Sequence, residues 1–596
     1  MNQIRRGSIH CGLGPRSVVK LVASAVTLVL ALTTLLFIAP VAHAAEVPQE
    51  ARANYDKAGI AREEGRLERA AELYRKAIEA HPLYFEAHEA YLGCLRGIGD
   101  SFAAQELYAD LVAKHADSIE LRAFAAAAKE PPEAIEALLS LKSEDSKNLR
   151  MGIELARAYL LSGNPKKAES GLKSIVKRAP NNAAVRTLLG DAYFARGKYK
   201  SARKEYDYAL DADNTYVPAH LRLALTWHRN GKSAKALEQL GKLVSEDSYP
   251  NLVAGHWLLA MIRADMGKFD AAIKSIDKVL AVDKGDFDAL IAKGHLLLRA
   301  DKPVEAGKIF AKAVETKPRS SEAVFALAWS HEKAADAPGI DDAKSKVHLE
   351  AAKQAYEKCS GMDPGVRPRD SLGFVFLLKN EHAEAVTQFR RAADIDTKFP
   401  PPVNNLGLSS DMADNRAAAK KKYEQVLKKI DKKNVRAMVM LALDHWLDGA
   451  SSKAIKGLEK ALKLDPKDDL AWTFLGDVHT DRGKWDSAIK AYKKATDIDD
   501  GNFIAWYHMG QVLQDAKKKW EEADRCFRKA LEARAAPPTQ LLLRLAEVNE
   551  EEALDNPEDA LKFYKQYKEA GGSTEPPWDW IDDRIEEMEE EAAKKK

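Results

Sequence analysis

Cysteine is scarce in this chain of 596 residues, with Cys11, Cys94, Cys359 and Cys526 its only examples. The last three are an odd count, which leaves at least one unpaired, and they read as small buried hydrophobes. An excess of charge of one sign is also missing. The sequence carries 92 Lys and Arg against 90 Asp and Glu, for a net charge of +2. That balance excludes the basic footprint of a nucleic-acid binder. Short runs such as Lys420–Lys422 and Lys517–Lys519 read instead as solvated helix faces. There is no H-E-x-x-H, Cys-x-x-Cys, G-x-S-x-G elbow, phosphate-cradling glycine loop or dinucleotide fingerprint. The expectation is therefore a protein that is not an enzyme, with no catalytic residues, no cofactor and no metal. Long apolar runs are limited to one, Leu21 to Ala39.

What the chain does have is a period. Alanine recurs from Ala70 to Ala560, and Ala134, Ala168, Ala202 and Ala236 illustrate the commonest step of 34 residues. Around each stands the same frame. A small residue such as Gly190, Gly294, Gly373, Gly407, Gly476 or Gly510 precedes it, and an aromatic such as Tyr74, Tyr206, Phe310, Phe389, Tyr492 or Phe527 follows four residues on. Apolar residues fall three, four and seven apart on either side of a short turn such as Arg482-Gly483-Lys484. That spacing predicts two packed amphipathic helices per unit. Prolines at Pro82, Pro180, Pro318, Pro364 and Pro466 end the second helix. Two steps are irregular: a shortened unit near 118–147, and an insertion near 334–347 read as a longer inter-helix loop.

Over roughly residues 50 to 570 the chain resembles the tetratricopeptide repeat (TPR) family, whose pattern is W-x2-L-G-x2-Y, A-x3-F and a closing P. The clearest matches are Trp472, Leu475, Gly476, Ala488, Tyr492 and Ala495, then Trp506, Met509, Gly510, Ala523, Phe527 and Ala530. The resemblance implies an all-α fold, a right-handed α-solenoid of about fourteen to fifteen helix-turn-helix units over 45–570. It also implies a concave groove lined by the fifth and ninth residues of each first helix. Those positions give the expected partner site: Leu221, Leu225, Trp257, Met261, Ile291, His295, Phe325, Trp329, Phe374, Leu408, Val439 and Leu443, beside Asp370 and Asn404. A one-position shift in register would turn this wall into core. No Lys occupies a fifth position and only Asn404 and Asn405 could begin an asparagine ladder, so chaperone-tail binders and glycosyltransferase relatives are both disfavoured. His295, His445, His479 and His508 lie on first helices, where a surface or groove role is expected.

The ends lie outside the repeats. Arg5, Arg6, Arg16 and Lys20, the apolar run, Pro40 and Ala42-His43-Ala44 describe a signal peptide over 1–44, with an uncleaved anchor as the alternative. Residues 571–596 read as a linker followed by a capping helix from Trp578, carrying Ile581, Ile585 and Met588. The expected function is a protein–protein interaction scaffold, exported to the periplasm or cell envelope. Its partners would be one or more envelope proteins, with motility, pilus or envelope-complex assembly preferred by analogy. Neither nucleic acid nor a membrane span after signal cleavage is expected. The alternative is a polysaccharide-export or cell-wall factor whose groove binds glycan near Trp472, Asp477, Trp506, Tyr507 and Gln511.

Overall fold

A computed structural model of the chain describes residues 47–337, 340–533, 538–551, 554–573 and 578–595. The expected signal peptide lies outside the described residues. Among them the secondary structure is helical throughout, as 31 α-helices, the first Gln49–Glu63 and the last Trp580–Lys595. Successive helices pair into antiparallel hairpins that stack on their neighbours, giving an α-solenoid of TPR-type units. The described residues divide into two compact units, 47–317 and 318–595.

The alanine ladder is the spine of the packing. All fifteen ladder alanines from Ala70 to Ala560 are at most 2 % exposed. Where a Tyr or Phe follows four residues after the alanine, a glycine on the preceding helix commonly receives the ring. A Cβ added at Gly190 or Gly476 would stand 2.4 Å from Tyr206 or Tyr492, and one at Gly294 2.4 Å from Phe310. Where the residue is aliphatic, as at Leu172, Leu240, Ile276 and Leu458, the matching position sixteen earlier is alanine: Ala156, Ala224, Ala260 and Ala442. The exchange of ring plus glycine for branched chain plus alanine keeps the local volume nearly constant, as close packing requires.

Turns within hairpins place one residue in the left-handed region. Gly163, Gly197, Gly231 and Gly483 do so with φ of 66 to 74°, and Asp301, Asn380 and Asp414 take the same place at 54 to 62°. Asp and Asn tolerate that conformation better than most residues. The following amide closes the helix end, as when Lys484 N–H donates to His479 O at 2.8 Å. First helices are opened by side-chain caps, Asn182, Asp286, Asn434, Asp468 and Asn502 each accepting from the amide three residues on.

Irregular steps in the ladder have structural causes. Two steps of 35, Ala419 to Ala454 and Ala488 to Ala523, each contain a π-helical turn, Val426–Ile430 and Val512–Ala516. A π-turn absorbs one extra residue without rotating the flanking register. The shortened unit near 118–147 is a hairpin of Ile119–Ala127 and Pro131–Lys142. The insertion near 334–347 differs from the loop expected there. Its second half, from Asp342, extends a helix of 21 residues to Met362, opened by an Asp341 cap. The last helix begins at Trp580 and seats Ile581, Ile585 and Met588 in the core that holds Tyr564. Cys94, Cys359 and Cys526 are buried and free, and burial pushes the Cys94 thiol up to about 12.

Candidate functional site

The twelve residues expected to line a groove are for the most part packed away. Leu221, Leu225, Trp257, Met261, Ile291, His295, Phe374, Leu408 and Val439 are each under a tenth exposed, Trp257 at 3 % and Ile291 at 1 %. Phe325, Trp329 and Leu443 are half-buried. The physical reason is the register of the stack. Most first helices pack chiefly against their own second helix and the second helix before it, and these side chains turn into that packing, as Phe325 does against Tyr356. His295, expected on the surface or in the groove, is 1 % exposed and edge-on to Phe310. Burial holds its imidazole down at about 4, in the neutral form.

The C-terminal halves of the first helices stay open instead. In the unit 318–595, four successive first helices, Pro400–Met412, Val435–Leu447, Asp469–Asp481 and Phe503–Gln511, line a cleft of about 650 Å³. Asp411 and Asp414 come from the end of the first, Leu443, Asp444, Trp446 and Leu447 from the second, and Phe474, Asp477, Thr480 and Asp481 from the third. His508, Gln511 and Val512 close the far side, with Tyr492 on the floor and Arg416 at the rim. Of the expected groove residues, Leu443 alone reaches this cleft.

Several carboxylates there are tied down by their neighbours. Tyr423 O–H donates to Asp411 Oδ2 at 2.7 Å, and Tyr492 O–H donates to Asp477 Oδ1 at 2.8 Å. His508 Nδ1 lies 2.7 Å from the same Asp477 oxygen, and Trp446 Nε1–H donates to Asp481 Oδ2 at 3.3 Å. These tyrosines belong to the ladder frame, so the packing ring also carries a hydroxyl that orients an acid on the first helix. The device recurs in the other unit, where Tyr206 donates to Asp191 at 2.7 Å.

Asp444 stands apart. It is 3 % exposed, and its Oδ2 is buried without a hydrogen-bond partner. Burial, then the negative charge of Asp411, pushes its carboxyl up to about 7. Asp411 is pushed up to about 6 by burial, although the Tyr423 hydrogen bond pulls it down, and its Oδ1 is buried without a partner. Lys420, the nearest lysine acting on Asp444, is committed to Asp448 at 2.8 Å. Five carboxyl groups thus face one guanidinium and one imidazole, between apolar walls of Leu443, Leu447, Phe474 and Val512. Such a surface suits a cation on an apolar stem. Among the described residues no three His, Cys, Asp or Glu side chains are placed to hold a metal ion.

The residues expected to form a glycan platform are split. Asp477 and Gln511 line the cleft, but Trp472 and Trp506 donate their indole N–H groups to Pro466 O at 3.0 Å and Asp500 O at 2.9 Å. Tyr507 stacks on Phe503. Sequence reasoning missed Asp411 and Asp444. The one available signal was an acid inside an otherwise apolar stretch, Leu441-Ala442-Leu443-Asp444.

Comparison with known proteins agrees with this architecture. Family profiles described as TPR repeat match residues 190–231 and 476–515, and others described as tetratricopeptide repeat match 125–192, 39–85 and 258–334. The mouse DnaJ homolog subfamily C member 3 is 34% identical over 119 residues, covering 20% of this chain and 23% of the relative. The barley probable UDP-N-acetylglucosamine–peptide N-acetylglucosaminyltransferase SPINDLY is 25% identical over 157 residues, 25% of this chain and 15% of its own length. Human Superkiller complex protein 3 is 24% identical over 320 residues, 51% of this chain and 20% of that one. The chain therefore spans less than a quarter of the length of these relatives. Among solved structures, yeast Tom70 is similar at 15% identity and a TM-score of 0.40, covering 77% of this chain and 96% of that one. The Cut9–Hcn1 hetero-tetramer of APC/C gives 15% identity and a TM-score of 0.37, covering 91% and 97%. The profile matches and the buried alanine ladder together show that the chain carries tetratricopeptide repeats, matched in five stretches between residues 39 and 515.

Proposed function

We propose that this protein is a non-catalytic scaffold that holds a protein partner in the cleft between Asp411 and Val512. The observation that carries this reading is the cleft itself: a concave, acid- and aromatic-lined opening on four consecutive TPR units, with a buried carboxylate left unmatched. A surface repeated over several units offers a partner an extended contact, which is what stacked repeats supply. The first 44 residues support export, and hence a partner in the periplasm or cell envelope; motility, pilus or envelope-complex assembly is the preferred setting by analogy. An anchor formed by residues 21–39 is the alternative for the same segment.

A photo-crosslinking amino acid at Leu447, which is 52 % exposed at the cleft, tests the reading in the native cell. The expected result is a discrete protein adduct from Leu447 and none from the same group at Leu139, an exposed position in the other unit. Equal labelling from both positions, or none from either, would sink it. An adduct sensitive to a polysaccharide-degrading enzyme would replace the protein partner with glycan. Sequencing the amino terminus of the mature protein tests export, with Ala45 the expected first residue.

A further inference from the structure

We infer that the cleft receives an arginine side chain of the partner, its guanidinium held by Asp444 and Asp411 and its stem laid against Trp446 and Leu447. This rests on the reading of the cleft as the partner site and adds the chemistry of recognition. Three observations carry it. Asp444 is 3 % exposed, lines the cleft, and keeps Oδ2 buried without a hydrogen-bond partner. An acid so placed costs the fold stability unless a ligand compensates it. Asp411, on the preceding first helix, also keeps a buried oxygen without a donor. The two acids line the same cleft, and the charge of Asp411 raises the proton affinity of Asp444, so a shared cation relieves both. Finally, the walls beside them are apolar and include the half-buried Trp446 indole.

Arginine fits this setting better than lysine for two reasons. Its planar fork can serve two carboxylates on neighbouring helices at once, and it remains charged when water is removed. Its face also stacks on an indole, while its methylenes cover Leu443 and Leu447. Lys420 and Arg416 act on Asp444 from a distance, but each is paired with another acid. Lys420 is held by Asp448, and Arg416 sits exposed near Asp414 with a separation of 3.9 Å.

The test uses the full mature chain and the blocked pentapeptide Ac-GARAG-NH2, with its lysine and citrulline analogues, followed by saturation-transfer NMR titration. Citrulline keeps the shape of arginine and removes the charge. The expected result is saturation strongest on the arginine side chain, with affinity about tenfold lower for citrulline and lower also for lysine. Asp444→Asn should lower arginine-peptide affinity by about tenfold while raising the melting temperature, a combination a merely structural acid would not give. Binding should also weaken from about pH 8 to about pH 5.5, as Asp444 and Asp411 take up protons that the bound cation would exclude. The groups acting on Asp444 are Asp411, Asp448, Lys420 and Arg416, of which Asp411 alone is pushed up into that range. Equal affinity for arginine and citrulline, or an unchanged Asp444→Asn variant, overturns the inference. Should the variant fail to fold, the arginine–citrulline comparison on the unaltered chain still decides. If Leu447 crosslinks a partner whose capture is indifferent to Asp444→Asn, the arginine is wrong and the partner site stands. Absence of the crosslink removes both.

Discussion

Two acidic clusters on the first-helix faces, one in each compact unit, reach opposite outcomes. In the unit 47–317, Glu86, Glu89 and Glu154 meet Arg96, Arg150 and Arg157, three acids against three guanidiniums. Arg150 holds Glu89 at 3.0 Å and Glu86 at 3.1 Å, Arg157 holds Glu154 at 2.6 Å, and Arg96 approaches it at 3.5 Å. In the unit 318–595, five cleft acids meet only Arg416 and His508, and Asp444 Oδ2 is buried without a hydrogen-bond partner. Both clusters bury carboxyl groups and both pay in proton affinity, Glu89 and Asp444 each being pushed up to about 7 by burial. The lesson is one of charge balance. The matched cluster joins the helices Phe85–Ile98 and Leu149–Leu161, although Glu89 Oε2 and Glu154 Oε2 there lack a hydrogen-bond donor, whereas the unmatched cluster leaves surplus negative charge on an open cleft.

The largest effect should come from breaking the balanced cluster. Arg157→Ala removes the nearest partner of buried Glu154, leaving it Arg96 at 3.5 Å, and should cost about 3–5 kcal/mol. Because stability in stacked repeats is local, hydrogen exchange in the hairpins around 85–161 is the measurement, and unchanged protection there would refute the distinction. Next, Gly476→Ala places a methyl against Tyr492 and should cost about 1–3 kcal/mol. It should also disturb the Tyr492–Asp477 hydrogen bond, read as a change in the environment of His508 by NMR. A smaller effect of the opposite sign is expected at the open cluster, where Asp444→Asn should stabilise by about 1 kcal/mol near pH 8.

The pH dependence follows with a definite sign. A carboxyl whose folded pKa is raised binds more protons folded than unfolded, so its contribution to stability falls as pH rises. For Asp444 the window runs from its ordinary value of 3.8 to about 7, and for Asp411 from 3.8 to about 6. Protection of the 400–481 hairpins should therefore decline across that range, and Asp444→Asn should flatten the decline. A profile identical in the variant would show that Asp444 is not the titrating group. The smallest effect belongs to Leu447→Ala, which removes a half-exposed side chain at the cleft rim and should change stability by less than about 0.5 kcal/mol. Its consequence should appear instead in partner crosslinking from neighbouring rim positions.

Much of the fold was legible because each unit repeats the same short-range rules. Ala488, Gly476 and Tyr492 lie within seventeen residues of one another, and their spacing alone predicts a small-residue contact on a ring. The one-residue irregularities at Ala454 and Ala523 were visible as numbers, but not as π-turns. Either a longer loop or a π-bulge absorbs one residue, and backbone hydrogen bonding selects between them. The open surface was the least legible feature. Trp257 and Ile291 sit on an apolar stripe of the correct period, yet periodicity does not say which of two adjacent stripes a neighbouring helix covers.

By itself the sequence determined the repeat, its two helices, the αL turns and the volume exchange between glycine and aromatic, since all of these depend on residues within one unit. Only the tertiary structure decided that most of the fifth and ninth positions are buried, and that Asp444 lines the same cleft as Asp411 with one oxygen left without a donor. Burial and proton affinity are sums over neighbours. For Asp444 most of those neighbours, Asp411, Arg416 and Lys420, come from the preceding unit, whose approach no local pattern encodes.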